Sequence, residues 1–379
     1  MNLEDYYAGK YEAQYQYNSF APTPICHNWI ISDPQLQQLL GEADRALGEL
    51  NAFSQLVPDI AFFISSYVAK EATQSSRIEG TQTNIEDAFK DADDILPEAR
   101  DDWGEVQNYI SAINFAIKSL DTLPLSNRLL KETHKVLMQA VRGKDKCPGE
   151  FRVSQNWIGA NLKNAAFVPP HHEQVNDLMS DIEKFLHDEA IILSPLIKIA
   201  IAHYQFETVH PFLDGNGRLG RLMISLYLAS EKLLAQPALY LSDYFEHNKT
   251  AYVDHLMAVR QGSHMKEWIM FFLQGIKETA VSSINVFRSI LAIKENIERE
   301  ILPRFSSRRQ ANVQTLMETL YSRPVIDVKS TALLLNTTTN TASALIVELV
   351  EYGILTEITQ QRRNRLFVFG KYLSLFRGR

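Results

Sequence analysis

Apolar residues recur at helical spacing over most of the chain. Ser32-Asp33-Pro34 offers a capping residue and then a proline for the first turn, which predicts a helix from there to about Phe53. A second helix begins near Pro58-Asp59 and carries Phe62, Phe63, Ile64, Tyr67 and Val68. It ends where Glu79 meets Gly80, glycine being the usual residue just beyond a helix. Thr83-Asn84-Ile85-Glu86 reads as a capping box opening a short helix. Further helices are predicted at about Trp103–Leu120, Asn127–Val141, Glu173–His187, Pro195–Val209 and Leu222–Leu234. Tyr240–Gly262 continues helical with polar breaks, and Trp268–Ile301 reads as one or two long helices. The period fails in three places. Residues 1 to 30, rich in Tyr, Pro and Asn, read as an extended arm on the surface, and Gly143 to Gly149 reads as loop. Two short β-like runs flank Asn161-Leu162-Lys163-Asn164 and predict a hairpin, which is marginal alone in water and so must pack on something.

Pro303 marks a boundary. Beyond it the pattern predicts helices at about Gln310–Tyr321, Asp327–Leu335 and Thr338–Tyr352, then a two-stranded hairpin of Ile354–Thr359 and Leu366–Phe369. The hairpin tip is Gln360-Gln361-Arg362-Arg363-Asn364-Arg365. This order resembles a winged-helix domain, with the third helix as recognition element and the arginine-rich tip as a wing able to touch phosphates. The third helix offers Thr337, Thr338, Thr339 and Asn340 but no arginine for guanine, and many winged helices serve only protein contacts.

Charge sharpens that division. The chain of 379 residues has net charge −7, but from Pro303 onward 11 Lys and Arg stand against 5 Asp and Glu, a balance of +6. The rest balances at −13. A basic tail on an acidic body points either to a separate role, with nucleic acid as a candidate partner, or to a merely solvated basic face. The length suits two or three domains, here 1–100, 101–302 and 303–379. No apolar run reaches transmembrane length, and the acidic start Met1-Asn2-Leu3-Glu4-Asp5 argues against a signal peptide. Cys26 and Cys147, without pattern, fit a reducing cytoplasm rather than a disulfide framework or zinc site.

Chemistry concentrates in His210-Pro211-Phe212-Leu213-Asp214-Gly215-Asn216-Gly217-Arg218-Leu219-Gly220-Arg221, between two helical runs. Glycines opening a helix bare amide groups, and the helix N-terminus adds partial positive charge, so the place suits a phosphate. Arg218 and Arg221 add fixed positive charge, Asp214 is a hard oxygen ligand suited to Mg2+, and His210 titrates near neutral pH and suits a general base. A Gly-Asn-Gly turn alone is often only a turn; the His, Asp and paired Arg at fixed offsets argue for more. A second place is Ser75-Ser76-Arg77-Ile78-Glu79-Gly80, where a carboxylate ends a helix and opposes its macrodipole. Either Glu79 is an ordinary exposed glutamate or a cation such as an arginine holds it. His171, His172, His187, His203, His247, His255 and His264 show no metal-ligand spacing.

The stretch His210–Arg221 resembles the signature of the Fic family, His-Pro-Phe-x-Asp/Glu-Gly-Asn-Gly-Arg-x-x-Arg, with every specified position filled. Ser75, Glu79 and Gly80 resemble that family's inhibitory motif, Ser/Thr-x-x-x-Glu-Gly/Asn. The hairpin around Asn161 resembles the Fic flap, which covers the active site and pairs with the backbone of an incoming target. The resemblance covers roughly Leu125 to Ile276 and implies a mainly α fold: a Fic-type helical bundle with a β-hairpin flap, plus a small C-terminal winged-helix (α+β) domain. It implies a protein adenylyltransferase, moving AMP from ATP to a Ser, Thr or Tyr hydroxyl of a target protein and of itself, with Mg2+. His210 would be the base and Asp214 the metal ligand. Gly215, Asn216, Gly217, Arg218 and Arg221 would hold phosphates, and Ile158, Gly159, Phe167 and Tyr244 would border nucleotide or target. Glu79 would hold the enzyme off, with Ser75 anchoring the motif by a hydrogen bond. Relatives of this kind also move phosphocholine, UMP or phosphate, or remove AMP. A rival of another class is a DNA-binding regulator or adaptor whose Fic-like body only senses nucleotide. A second copy of the chain is a further candidate partner.

Overall fold

The computed structural model describes residues 1–379 apart from 58–59, 140–144, 360–363 and 378–379. Helix α1 (Pro34–Leu56) is capped by Asp33, whose carboxylate accepts from the Leu36 amide. Helix α2 (Ile60–Ile78) ends at Glu79 and Gly80 (φ +106°), as the glycine predicts; its expected start at Pro58-Asp59 lies outside the described residues. Then come α3 (Arg100–Ser119), α4 (Asn127–Leu137), α5 (Val175–His187), α6 (Pro195–Val209), α7 (Asn216–Ser230), α8 (Ser242–His247), α9 (Lys249–Gly262) and α10 (Met265–Asn296). The centre is α6. Every residue from Leu196 to Val209 is buried, and a helix apolar on all sides is one surrounded on all sides. It packs against α5, α7 and α10. No helix among the described residues is long and apolar enough to cross a membrane.

Three expectations change. The N-terminal arm is not a surface excursion. Strands β1 (Gly9–Ala13) and β2 (Asn18–Pro22) pair antiparallel, with Tyr11 opposite Phe20. Phe20, Ile25 and Trp29 are buried, and Asp181 of α5 accepts from the Ile25 amide at 2.7 Å. The arm's aromatic content is what anchors it. The capping box at Thr83–Glu86 does not form. The Asn84 side chain accepts from the Asp87 amide at 2.8 Å and opens a single turn, Asp87–Phe89, while Thr83 is buried. The C-terminal hairpin is a three-stranded sheet. After α11 (Ser307–Ser322), strand β5 (Val325–Asp327) pairs with the last strand, so α12 (Val328–Leu334) and α13 (Thr339–Glu351) lead into β6 (Thr356–Glu357) and β7 (Leu366–Val368) in the order β5-β7-β6. Three residues were too few to read as a strand in the sequence. Four residues of the expected wing tip, 360–363, lie outside the described residues.

The flap is present as β3 (Ile158–Gly159) and β4 (Ala165–Phe167), with a bulge between Ile158 and Gly159. It is tied to the N-terminal hairpin, the Phe20 amide donating to the Val168 carbonyl at 3.0 Å. The C-terminal unit packs on α2: the Tyr372 hydroxyl donates to Ser66 Oγ at 3.1 Å, and Ser65 donates to the Ser322 carbonyl at 2.8 Å.

Candidate active site

The loop from α6 to α7 is held by side chains that converge from elsewhere. His210 ends α6 in the left-handed conformation (φ +50°, ψ +60°), uncommon for a residue with a Cβ. Its carbonyl accepts from Arg152 Nε and from Asn156 Nδ2, both at 3.0 Å. Arg152 Nη2 also reaches the carbonyls of Pro170 (2.6 Å) and Val209 (3.2 Å). Asn216 closes the loop on itself, accepting from the Phe212 amide and donating to the Phe212 carbonyl at 2.8 Å each. Gly215 (φ +74°) begins α7; a Cβ there would stand 2.7 Å from Met138 Sδ.

Behind the loop lies His134 of α4, buried and stacked on Phe212 with ring centroids 3.9 Å apart. The Gly149 amide donates to its Nδ1 at 2.9 Å, so Nε2 carries the hydrogen and donates to the Asp214 carbonyl, also at 2.9 Å. Burial pulls its pKa down to about 4, so the ring is neutral at pH 7. The Asp214 carboxylate is half-buried and accepts from the Gly215 amide at 2.6 Å through Oδ1.

The two arginines are both buried. Arg218 lies 3.2 Å from Glu105 of α3. Arg221 donates through Nε to Ser75 Oγ (2.9 Å) and through Nη2 to the Ser75 carbonyl (2.8 Å) and Glu79 Oε1 (2.7 Å). Arg221 is therefore the cation that Glu79 needed. Glu71, Ser75 and Glu79 fall four residues apart, on one face. Buried Glu71 takes the hydroxyls of Tyr109 (2.9 Å) and Ser242 (2.5 Å) and fixes the other end of that face. The Glu79 carboxylate also covers the start of α7: a Cβ on Gly217 would stand 2.3 Å from Oε1. A carboxylate over bare amides at a helix N-terminus occupies the place of a phosphate. Burial works to raise the Glu79 pKa, but the Arg221 guanidinium outweighs it and the net shift is downward. Its side chain nonetheless remains 43% exposed.

The His210 imidazole is lowered to about 4, chiefly by burial and then by Arg260, so it too is neutral at pH 7. Its Nδ1 is buried without a hydrogen-bond partner. Ile158 is half-buried on the flap, and Gly159 (φ +123°) is exposed, its missing Cβ leaving room for the Ala166 amide. Phe167 is buried between the Arg260 guanidinium, 3.9 Å from the ring, and Phe20. Tyr244 packs on Gly275 and Phe271 and lines a separate cavity of about 430 Å3 with Tyr67, Lys70 and Asp243. His171, His172 and Glu173 bring ligand atoms within 4.8 Å of one another, outside the signature cluster. Arg152, Asn156, His134, Glu105 and Arg260 were not singled out from the sequence. Arg152 and Asn156 stand in the polar stretch before the flap; the others gave no local signal.

Two family models match this chain: the Fic/DOC family N-terminal model over residues 37–118, and the Fic/DOC family model over residues 124–228. Residues 37–118 and 124–228 thus carry the Fic/DOC N-terminal region and the Fic/DOC domain. Among its relatives, "Protein adenylyltransferase fic-1" of Caenorhabditis elegans is 38% identical over 81 residues, which are 21% of this chain and 15% of that protein. "Protein adenylyltransferase Fic" of Aedes aegypti is 32% identical over 115 residues, 30% of this chain and 21% of that protein. The matches thus span no more than about a fifth of those relatives' length. A crystal structure of a Fic family protein from Desulfovibrio desulfuricans G20 shares the fold, with TM-score 0.55 and 18% identity over 90% of this chain and 98% of that one.

Proposed function

We propose that the chain is a protein adenylyltransferase that moves AMP from ATP to a Ser, Thr or Tyr hydroxyl of a target protein and of itself, and that Glu79 keeps it largely off. The observation that carries this reading is the Glu79 carboxylate lying on Arg221 and over Gly217, where a terminal phosphate would otherwise sit. With Glu79 turned away, Arg221 and the amides around Gly215, Asn216 and Gly217 receive the triphosphate, and Arg218 adds charge beside them. Such reactions are catalysed mostly by positioning and electrostatics. Neutral His210 takes the proton of the attacking hydroxyl. The hydroxyl oxygen bonds to the α-phosphorus, the bridge to the β-phosphate breaks, and pyrophosphate leaves. Asp214, half-buried with one oxygen on the Gly215 amide, is a hard donor that fits Mg2+. When bound there, Mg2+ neutralises phosphate charge. The flap edge at Ile158 and Gly159 offers backbone to the target, which reads little side-chain identity.

The test is labelling with ATP carrying label on either phosphate, for wild type, Glu79→Gly and Glu79→Gly/His210→Ala, with intact-mass analysis. α-Label and the mass of AMP on Glu79→Gly protein, lost in the double variant, are expected. Transfer of γ-label overturns the reading. The exposure of the Glu79 carboxylate favours a second reading, a water held there to remove AMP, which release of AMP from pre-labelled protein would reveal. For the winged-helix-like tail we propose target choice or assembly, as a dimer or otherwise, ahead of DNA contact. Thr338 caps α13 through the Thr341 amide, and Arg309 pairs with Glu348. A cytoplasmic location accords with Cys26 and Cys147 both being free thiols.

A further inference from the structure

Arg221 has a second acidic neighbour. Glu207, on the last turn of α6, is buried, and its Oε1 has no hydrogen-bond partner. A Cβ on Gly220 would stand 2.4 Å from that oxygen. Gly217 and Gly220, one turn apart on α7, thus each make way for a carboxyl: Glu79 at the first, Glu207 at the second. Arg260 acts on the Glu207 carboxyl only through its charge, its own hydrogen bonds going elsewhere. Its Nη2 donates to the Glu207 backbone carbonyl (3.0 Å), its Nε to Thr208 Oγ1 (3.1 Å), and its plane stacks on Phe167. The ionisable groups facing the carboxyl are Arg221 from α7, Glu79 beyond α2, and Arg260 and Tyr252 from α9; His210 lies one turn along the chain. His203, one turn earlier, is spent on the Gly220 carbonyl and the Tyr252 hydroxyl.

We propose that Glu207 is a positioning residue that holds Arg221 when Glu79 swings away, and that accepts a proton from solvent when the triphosphate arrives. This rests on the reading of the site given above. A buried carboxyl beside one guanidinium cannot stay ionised against a second anion without cost. While Glu79 occupies Arg221, Glu207 is pushed toward its neutral form; burial, with Glu79 adding to it, brings its pKa to about 7. Removing Glu79 takes away a negative charge and favours ionised Glu207, which then keeps Arg221 aimed. A bound triphosphate restores the negative charge, and Glu207 takes up a proton. No sequence pattern marks this residue; the paired glycines on α7 do.

The test is calorimetric titration of Mg–ATP into Glu79→Gly at pH 7.5, in two buffers of different ionisation enthalpy. Uptake of about a quarter of a proton is expected there, growing as the pH is lowered toward 7. Glu79→Gly/Glu207→Gln should lose most of it, since glutamine mimics the neutral form in shape. Glu79→Gly/Glu207→Asp should regain it. The Kd of Glu79→Gly should rise by up to about threefold as pH goes from 6.5 to 8, as one linked proton with a pKa of about 7 requires. The Gln variant should show a flat Kd but a lower kcat, a split that mere loss of packing would not give. Equal proton uptake with and without Glu207 overturns the inference. Failure of Glu79→Gly to bind Mg–ATP at all overturns the reading of the site, and this inference with it.

Discussion

The sharpest consequence of the geometry concerns Glu79→Gly. The variant removes the 2.7 Å bond to Arg221 and empties the space over Gly217. A hydrogen bond to a charged group contributes about 1.5–3 kcal/mol, and the partial exposure of Glu79 moves the value toward or below the lower end. At about 1–2 kcal/mol, the productive pose of ATP gains about 5–30-fold in population. Misplacement of the triphosphate by about 1 Å adds to the handicap of the wild type, so this is a lower range. The assay is the initial rate of α-label incorporation at saturating ATP and Mg2+, wild type against Glu79→Gly. Glu79→Gln should fall between them, because it keeps the bulk over Gly217 and loses the charge. Arg221→Ala should stay inactive even with Glu79→Gly. Equal or lower labelling by Glu79→Gly would refute the inhibitory role.

His134→Ala leaves the Gly149 amide and the Asp214 carbonyl without their buried partner, and should lower stability by about 2–4 kcal/mol in denaturant titration and depress turnover. Unchanged stability would show that the loop holds itself. Acid should destabilise the fold: His134 and His210 are lowered to about 4 and His203 to about 3, so between those values and 6.5 the unfolded chain binds more protons than the native one. Glu79, lowered, adds to this loss as pH falls, while Glu207, raised to about 7, has the opposite slope between 4.5 and 7. These three rings, with His27 and His255 also lowered, outweigh Glu207 and the other raised carboxyls Glu71, Asp44 and Asp94, so the denaturation midpoint should be lower at pH 5 than at pH 7; an equal or higher one would contradict the assignment. Deleting residues 303–379 uncovers Phe63 and Tyr67 of α2, which pack on Tyr321 and Phe376, and should raise automodification rather than leave it unchanged. Wild-type automodification in a folded truncation would count against coupling between tail and α2.

What could be read from the sequence was what is local. The helices follow from periodicity, and Asp33 and Gly80 mark their ends as expected. The signature loop could be read because its groups lie within twelve residues. Glu79 stood out because it carries the wrong charge for a helix end, and that oddity foretold its arginine. The groups that shape the loop were hidden because they act across the fold. Arg152 and Asn156 reach His210 from more than fifty residues away, and His134 reaches Asp214 from eighty. Only a polar stretch before the flap marks Arg152 and Asn156, and nothing in its own neighbourhood marks His134. The N-terminal hairpin was hidden for another reason: its strands are five residues each and mix polar and apolar positions too irregularly to show a period.

On the function proposed above, the placement of Glu79 decides how inhibition is released. Most of α2 is buried, and its length is pinned: Tyr67 donates to the Ser283 carbonyl at 3.1 Å, Glu71 holds Tyr109 and Ser242, and Lys249 reaches the Ile78 carbonyl at the C-terminus. Moving this helix would expose Phe63, Tyr67 and Val68 and strand Glu71 in the interior, a cost far above that of one ion pair. Glu79 lies one residue past the helix end, beside a glycine with φ +106°, and is the exposed member of its face. Rotation of its side chain alone frees Arg221. Ser75 keeps two of the three bonds to the guanidinium throughout, and the proposed hold of Glu207 adds to them, so Arg221 stays in place. Helix α2 is thus best seen as a fixed wall carrying one movable carboxylate, and anything that loosens the wall, the C-terminal unit included, acts on that carboxylate indirectly.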